Sequence, residues 1–378
     1  MTNIPSFADP IAPLREDIRL LGDLLGETLI EQAGQAVFDK VEEVRQQAKA
    51  IHETDSYDRS PLRQLVADLA PEEVLDVARA FTQFLNLSNI AEQTHGARSY
   101  GQLIPEAEDP ATLESCFTRL RQSGLGDDQI HDTLKNLDIE LVLTAHPTEV
   151  KRRTLIRKDT NIAALLEALE LTRHTGESPH LIVDELRREI TAYWLTDEIR
   201  RRRPTPVEEA KWGFAVIETV LWQAVPRYLR KLDRLLREHT GSALPLDCTP
   251  VRFGSWMGGD RDGNPNVTPD VTREVSLLAR WMAADLYWRD VDVLRAELSM
   301  RTASNELRAR VGDCAEPYRE LLREVRARLA ATRDWTEARI DRHEHVGPQP
   351  YRTRDELLEP LLLCYRSLHA IGAGRVAD

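Results

Sequence analysis

Residues 139–149 read IELVLTAHPTE, a short apolar run that ends in a polar turn and continues into a basic stretch. Residues 250–260 read PVRFGSWMGGD and have the same order, because an apolar run leads into a glycine-rich turn and then into helical sequence. Each pattern predicts a β-strand, near 139–144 and near 250–256, that feeds an α-helix. About 100 mostly helical residues separate the two runs, which favours a parallel crossover over a hairpin.

Most of the remaining sequence has helical periodicity. Residues 162–169 place leucine and isoleucine side chains at i, i+3, i+4 and i+7. A long helical segment runs from about 206 to 239, and Pro226 should kink it or split it in two. The sequence therefore predicts a mostly α fold with about two parallel strands. We expect an N-terminal helical region over residues 1–135 and a second region over 136–378 that contains both strands.

Composition excludes several classes of protein. The chain has 378 residues, a hydrophobic content of 42%, a charged content of 30% and a net charge of −13, values that argue against disorder and against a protein that coats nucleic acid. No run approaches the roughly 18 uncharged apolar residues of a membrane span, and the first residues lack the pattern of an export signal. The four cysteines form neither a disulfide framework nor a zinc motif. These observations predict a soluble, cytoplasmic protein.

His146 is the first candidate for chemistry. It follows a predicted parallel strand, at the end where α/β enzymes place catalytic groups. Arg152, Arg153 and Arg157 follow in a basic helix, and a neutral imidazole beside guanidinium groups suits a base that acts on a phosphorylated anion. The alternative is a capping histidine followed by a solvated basic helix face.

The second candidate is the glycine-rich stretch 254–268. Its glycines permit positive φ and a close approach of the backbone to a ligand. Trp256 and Met257 would together add an apolar wall that excludes water. A purely structural turn held by aspartate and asparagine side chains is the alternative. A calcium loop is rejected, because its sixth position is Pro265 and its twelfth is Val271.

A third stretch, residues 200–203, contains four consecutive arginines before a proline. Cations at the C-terminal end of a helix suit the helix dipole, so a structural role is favoured. A phosphate-bearing effector or a subunit partner is the alternative.

These motifs carry a family resemblance. Residues 143–149 with Arg152 and Arg153, and residues 255–268, closely resemble the two N-terminal signatures of phosphoenolpyruvate carboxylase. Residues 196–200 and 211–213 are also similar to that family, and the resemblance runs essentially from end to end of the chain.

The resemblance implies a cytoplasmic, allosteric carboxy-lyase. Members of the family convert phosphoenolpyruvate and bicarbonate to oxaloacetate and phosphate, an anaplerotic reaction that supplies the tricarboxylic acid cycle. They depend on Mg²⁺, with Mn²⁺ as a possible substitute, and are usually homotetramers. Their fold is a (β/α)₈ barrel with many extra helices, so residues 136–378 would hold the first strands of an incomplete barrel with long helical insertions.

The resemblance also implies roles for individual residues. His146 matches the base that takes the proton of carboxyphosphate and so releases CO₂ for attack by the enolate of pyruvate. Trp256 matches a tryptophan near the bicarbonate and CO₂ pocket, and Arg261 is assigned to substrate binding. A further set is assigned to a phosphate-type effector site: Arg152, Arg153 and Arg200.

This sequence departs from the family in its length. Members run to well over twice 378 residues, and this sequence lacks their Phe-His-Gly-Arg-Gly-Gly type loop, their later strands and their acidic metal ligands. We therefore expect the chain to be the N-terminal part of a carboxylase, as a truncated gene product, a fragment or one half of a split enzyme, and to be inactive alone. The alternative is a non-catalytic helical scaffold that oligomerises with a full-length carboxylase and modulates it.

Overall fold

The computed structural model describes residues 11–53, 58–99, 112–144, 152–176, 178–197 and 204–377. As the sequence predicts, these residues are mostly helical and contain two strands. The elements in chain order are α1 (Ala12–Ala33), α2 (Gln35–Glu53), α3 (Ser60–Ala67), α4 (Pro71–Ser99), α5 (Leu113–Gln122), α6 (Asp127–Lys135), β1 (Ile139–Leu143), α7 (Arg153–Thr175), α8 (His180–Trp194), α9 (Pro206–Val216), a π-helical turn (Ile217–Leu221), α10 (Trp222–Thr240), β2 (Val251–Ser255), α11 (Pro269–Glu297), α12 (Asn305–Val311), α13 (Pro317–Ile340), α14 (Arg354–Ala370) and α15 (Gly374–Ala377).

The first of two compact units draws on described residues within Met1–Asp132, Lys151–Arg202 and Arg234–Ala243. Its core packs α1, α4, α7 and α8 together, and the periodic side chains of α7 lie in that core as predicted. Asp17 is buried on α1, and its carboxylate accepts a hydrogen bond of 3.0 Å from the guanidinium of Arg173. A buried charge needs such a partner, since desolvation would otherwise make the folded state costly.

The second unit draws on described residues within Thr133–Val150, Arg203–Asp233 and Leu244–Asp378. Its main core joins α11, α12, α13 and α14, and the hydroxyls of Tyr318 and Ser367 lie 2.8 Å apart inside it. The two units interleave along the chain. The domain division at residues 135 and 136 stays a prediction.

The strands β1 and β2 pair in parallel, which confirms the predicted crossover. Ile139 aligns with Val251 at one end and Leu143 with Ser255 at the other. Apolar side chains on both faces of the pair are exposed, and Leu141 is 49% exposed. Parallel strands are normally covered on both faces, so this pair presents an apolar surface that the described part of the unit leaves open.

The long helical segment is irregular, although not at its proline. Helix α9 ends at Val216, a π-helical turn follows, and α10 then runs through Pro226 to Thr240. Pro226 lacks the N–H that would bond the carbonyl of Trp222, four residues earlier. The π-helical turn ends just before Trp222, so the long segment is divided one turn ahead of the proline, and a split at Pro226 itself is not observed because α10 continues through it.

Two buried groups in the second unit should lower its free energy of unfolding at alkaline pH. Burial raises the pKa of the Cys364 thiol to about 12 from 9.0, and that of the Tyr351 hydroxyl to about 12 from 10.0. Between pH 9 and 12 the unfolded chain ionises these groups while the folded protein keeps them neutral. The free energy of unfolding should therefore fall as the pH rises through this window.

Urea unfolding at pH 8 and at pH 10.5 measures this loss. The Cys364→Ala variant removes one of the two groups, so its loss between the two pH values should be smaller than that of the wild type by roughly 1–2 kcal/mol. Equal losses in the two proteins would show that Cys364 ionises normally in the folded state.

Candidate active site

The C-terminal ends of β1 and β2 lie side by side. The backbone N–H of Trp256 donates a hydrogen bond of 3.0 Å to the carbonyl of Leu143, so the turn after β2 begins next to the end of β1. In parallel sheets ligands bind beyond these carboxyl ends. His146 follows Leu143 by three residues in the sequence, and it lies in the segment 145–151, outside the described residues.

Trp256 and Met257 differ sharply in burial, although they are adjacent in the turn. The side chain of Trp256 is 57% exposed, whereas Met257 is 6% exposed and packs with Ala210 and Phe214. The expectation that both would form one wall toward a ligand is therefore wrong for Met257. Met257 instead anchors the turn in the core and leaves Trp256 at the surface.

Gly213 on α9 makes room for this anchor. A Cβ atom added at Gly213 would overlap the flexible end of the Met257 side chain, so the glycine leaves the space that this side chain occupies, and a larger residue would require Met257 to move. Residues 211–213 belong to the motifs of the resemblance, but nothing in their sequence indicates a role for Gly213. Its packing partner lies 44 positions along the chain, and no local pattern indicates such a partner.

Gly258 fixes the next part of the turn. It has a positive φ of 72°, its carbonyl accepts a hydrogen bond of 2.7 Å from the Thr272 hydroxyl on α11, and an added Cβ would lie 2.5 Å from Cγ2 of Val275. Gly263 also has a positive φ, of 76°, but an added Cβ there would meet nothing within 4 Å. The glycine-rich turn is thus held against α11 at Gly258, because neither the backbone nor the space there accepts a side chain.

Some polar side chains of the turn form hydrogen bonds to the backbone, whereas Arg261 lies exposed without a carboxylate partner among the described residues. Asn264 accepts a hydrogen bond of 3.0 Å from the backbone N–H of Asn266, as the structural alternative predicted for this stretch. Thr268 caps α11 by accepting a hydrogen bond of 3.3 Å from the N–H of Val271. Arg261 is exposed, and among the described residues no carboxylate pairs with it.

The basic residues assigned to an effector site are only partly described. Arg152 precedes α7 and forms an exposed ion pair of 3.5 Å with Asp197. Arg153 begins α7, and its side chain is not described. Arg200 lies in the segment 198–203, outside the described residues, together with the four consecutive arginines. The effector assignment stays a prediction.

The described residues do not fit a bound metal. Nowhere in the described ranges do three histidine, cysteine, aspartate or glutamate side chains come together as a metal site. The Asp260–Asn264 stretch is no exception, so we derive no catalytic step through Mg²⁺. Among the described helices, none is both long enough and apolar enough to cross a lipid bilayer.

A glycine-rich turn and a histidine-bearing segment that both follow parallel strands are typical of α/β enzymes. Comparison with known proteins gives the family: the phosphoenolpyruvate carboxylase family model matches residues 14–378, and the chain belongs to this family of carboxy-lyases.

Curated relatives agree. The chain is 54% identical over 372 residues to the phosphoenolpyruvate carboxylase of Ectopseudomonas mendocina (strain ymp), a match that covers 98% of this chain and 42% of the relative. It is also 54% identical over 370 residues to that of Pseudomonas entomophila (strain L48), with 97% of this chain and 41% of the relative covered. The chain therefore spans about two-fifths of the length of these relatives.

Proposed function

We propose that this chain is the N-terminal part of a phosphoenolpyruvate carboxylase, which in its complete, cytoplasmic and tetrameric form converts phosphoenolpyruvate and bicarbonate to oxaloacetate and phosphate. The observation that carries the proposal is the family match over residues 14–378. The juxtaposed ends of β1 and β2 support it, since the chain enters the segment that contains His146 from the end of β1, beside the turn that carries Trp256.

His146 is the proposed base. Attack of bicarbonate on the phosphoryl group gives carboxyphosphate and the enolate of pyruvate. The imidazole then takes the carboxyphosphate proton, CO₂ and phosphate separate, and the enolate carbon attacks CO₂ to form oxaloacetate. A histidine suits this step because its unperturbed pKa lies near neutral pH, so it can accept and release a proton there.

Trp256 and Arg261 are the proposed contacts with substrate. The exposed indole at the end of β2 offers an apolar surface for CO₂ that would shield the enolate from protonation by water. Arg261 lies five residues further along the same turn and provides a guanidinium for an anionic group. Arg152, Arg153 and Arg200 remain assigned to a phosphate-type effector. The Mg²⁺ ligands are assigned to the part of the complete enzyme that this chain does not span.

We further propose that β1 and β2 are the first two strands of a (β/α)₈ barrel. Barrel strands are buried on both faces, by side chains inside and by helices outside, and therefore carry apolar residues on both. The exposed apolar residues of the pair fit this pattern: Ile139, Leu141, Val142 and Phe253. The rest of a barrel would cover them and pair the free strand edges.

A chimeric enzyme tests the proposal. The purified chain alone is expected to form no oxaloacetate in an assay coupled to malate dehydrogenase. A chimera in which residues 14–378 replace the matching part of the Ectopseudomonas mendocina relative should be active, because the inserted residues supply His146 and Trp256 to an otherwise complete site.

The unmodified relative is the control, and circular dichroism checks that the chimera folds. Activity of the lone chain would contradict the proposed division of the site, and a folded but inactive chimera would contradict the proposed function. If the lone chain binds the intact relative and alters its rate while the folded chimera is inactive, the non-catalytic scaffold is the better description.

A further inference from the structure

A cleft in the second unit lies beside α11, the C-terminal end of α13 and the loop that leads to α14. Its volume is about 620 Å³, and the residues that line it include Arg280, Trp335, Arg339, His345, Gln349 and Arg352. None of the residues assigned above to catalysis, substrate or effector binding lines it. A cavity of this size is large enough for a small organic ligand.

The cleft has an excess of positive charge. Three guanidinium groups line it, against the single carboxylate of Glu344. Elsewhere in the second unit arginines commonly pair with carboxylates, as Arg310 does with Glu324 at 2.7 Å. Among the described residues, no carboxylate pairs with the guanidinium of Arg280, Arg339 or Arg352; the carboxylate of Glu356 accepts a hydrogen bond of 3.0 Å from the backbone N–H of Arg352 only.

The guanidinium groups are held in place by neutral partners. Those of Arg280 and Arg339 lie 4.8 Å and 5.4 Å from the ring centroid of Trp335, a distance at which the aromatic face stabilises a cation. Arg280 also donates a hydrogen bond to the carbonyl of Tyr351, and Arg352 donates one of 3.0 Å to the side-chain oxygen of Gln349. Most of their N–H donors remain available, since each guanidinium carries five.

The loop that closes the cleft has a defined shape. Two residues after the end of α13, Arg342 has a positive φ of 58°, and the N–H of His343 donates a hydrogen bond of 2.7 Å to the carbonyl of Ala338 in the helix. Further along, a ring nitrogen of His345 lies 3.2 Å from the carbonyl of Pro348. These contacts hold the loop against the end of the helix. Binding of a ligand should therefore cost little conformational entropy of the loop.

We propose that this cleft binds a small organic anion with at least two negative charges, carried by phosphate or carboxylate groups, through Arg280, Arg339 and Arg352. Two of these guanidinium groups lie against the same indole ring and all three line one cleft with a single carboxylate, so a bound anion would supply the counter-charge that is missing. Guanidinium groups match phosphate and carboxylate oxygens with paired hydrogen bonds. The volume leaves room for a body beyond the anionic groups.

Isothermal titration calorimetry of the 378-residue chain tests the proposal, with inorganic pyrophosphate and citrate as separate probes at constant ionic strength. At least one probe should bind saturably, and the stronger one identifies the anionic group as phosphate or carboxylate. Arg339→Gln and Arg352→Gln should each weaken that binding by roughly tenfold or more, because each removes a charged donor.

Arg323→Gln is the matched control. Arg323 is also an exposed arginine of α13, pairs with Glu320 and does not line the cleft, so this variant should bind as the wild type does. The proposal is overturned if neither probe binds saturably, or if Arg339→Gln and Arg352→Gln bind as tightly as Arg323→Gln.

Discussion

Replacement of His146 by asparagine in the chimeric enzyme is expected to lower the rate of oxaloacetate formation by roughly 10²–10⁴-fold, the usual contribution of a positioned general base. Asparagine is close to histidine in size and keeps hydrogen-bonding groups, but it cannot accept the proton of carboxyphosphate at neutral pH. The loss should therefore appear in the rate and not in the folding of the chimera. Coupling to malate dehydrogenase measures it.

The proposed order of steps predicts that His146→Asn affects phosphate release and oxaloacetate formation differently. Phosphoryl transfer precedes the step assigned to His146, so bicarbonate-dependent release of phosphate should persist in the variant while oxaloacetate formation falls. The enolate would then be protonated to pyruvate, which lactate dehydrogenase detects. A parallel loss of phosphate release would contradict the assignment and would place His146 at or before phosphoryl transfer.

His180→Asn provides the matched control for this experiment. His180 is exposed at the start of α8, so the same chemical change there should leave both products unaffected. If His180→Asn and His146→Asn behaved alike, the loss could not be assigned to a base after β1.

Replacement of Gly258 by alanine is expected to destabilise the second unit by roughly 2–5 kcal/mol. Two costs add at this position. A residue with a Cβ strains the backbone at φ 72°, and the new methyl group would lie 2.5 Å from Cγ2 of Val275. The turn must then shift away from α11, and the shift would also misplace Trp256. Urea unfolding measures the stability.

Gly263→Ala separates the two costs. Gly263 has a similar φ of 76° but open space around an added Cβ, so only the backbone strain of roughly 1–2 kcal/mol applies there. The double variant Gly258→Ala/Val275→Ala should be less destabilised than the sum of its single variants, since it removes the clashing methyl groups. Equal effects of Gly258→Ala and Gly263→Ala would contradict the close packing of the turn on α11.

Local sequence patterns predicted much of the fold. The apolar runs near 139–144 and 250–256 correspond to β1 and β2, and the periodic side chains of residues 162–169 lie in the core of the first unit. The predicted effect of Pro226 was right about the long segment, which is divided, but not about the position. A proline removes a hydrogen bond at a known position, whereas the irregular turn is Ile217–Leu221, ahead of Pro226.

The candidate site also contains features that the sequence predicted and features that it did not. Sequence alone placed Trp256 in a turn at a strand end, and that turn lies beside the end of β1. Sequence could not separate Trp256 from Met257, because both are large apolar residues in one turn and only Met257 has a pocket, beside Gly213. His146, Arg153 and Arg200 keep the roles that the family resemblance implies, as predictions.

By itself, the sequence determined which segments are strands and helices, and the motifs that place the chain in its family. Both depend on residues close together along the chain, where periodicity and turn chemistry act. Only the tertiary structure decided the register of β1 on β2, the burial of Met257 and the cleft that joins Arg280 to Arg352. These features depend on contacts between residues far apart in sequence, and such contacts form only when whole elements pack.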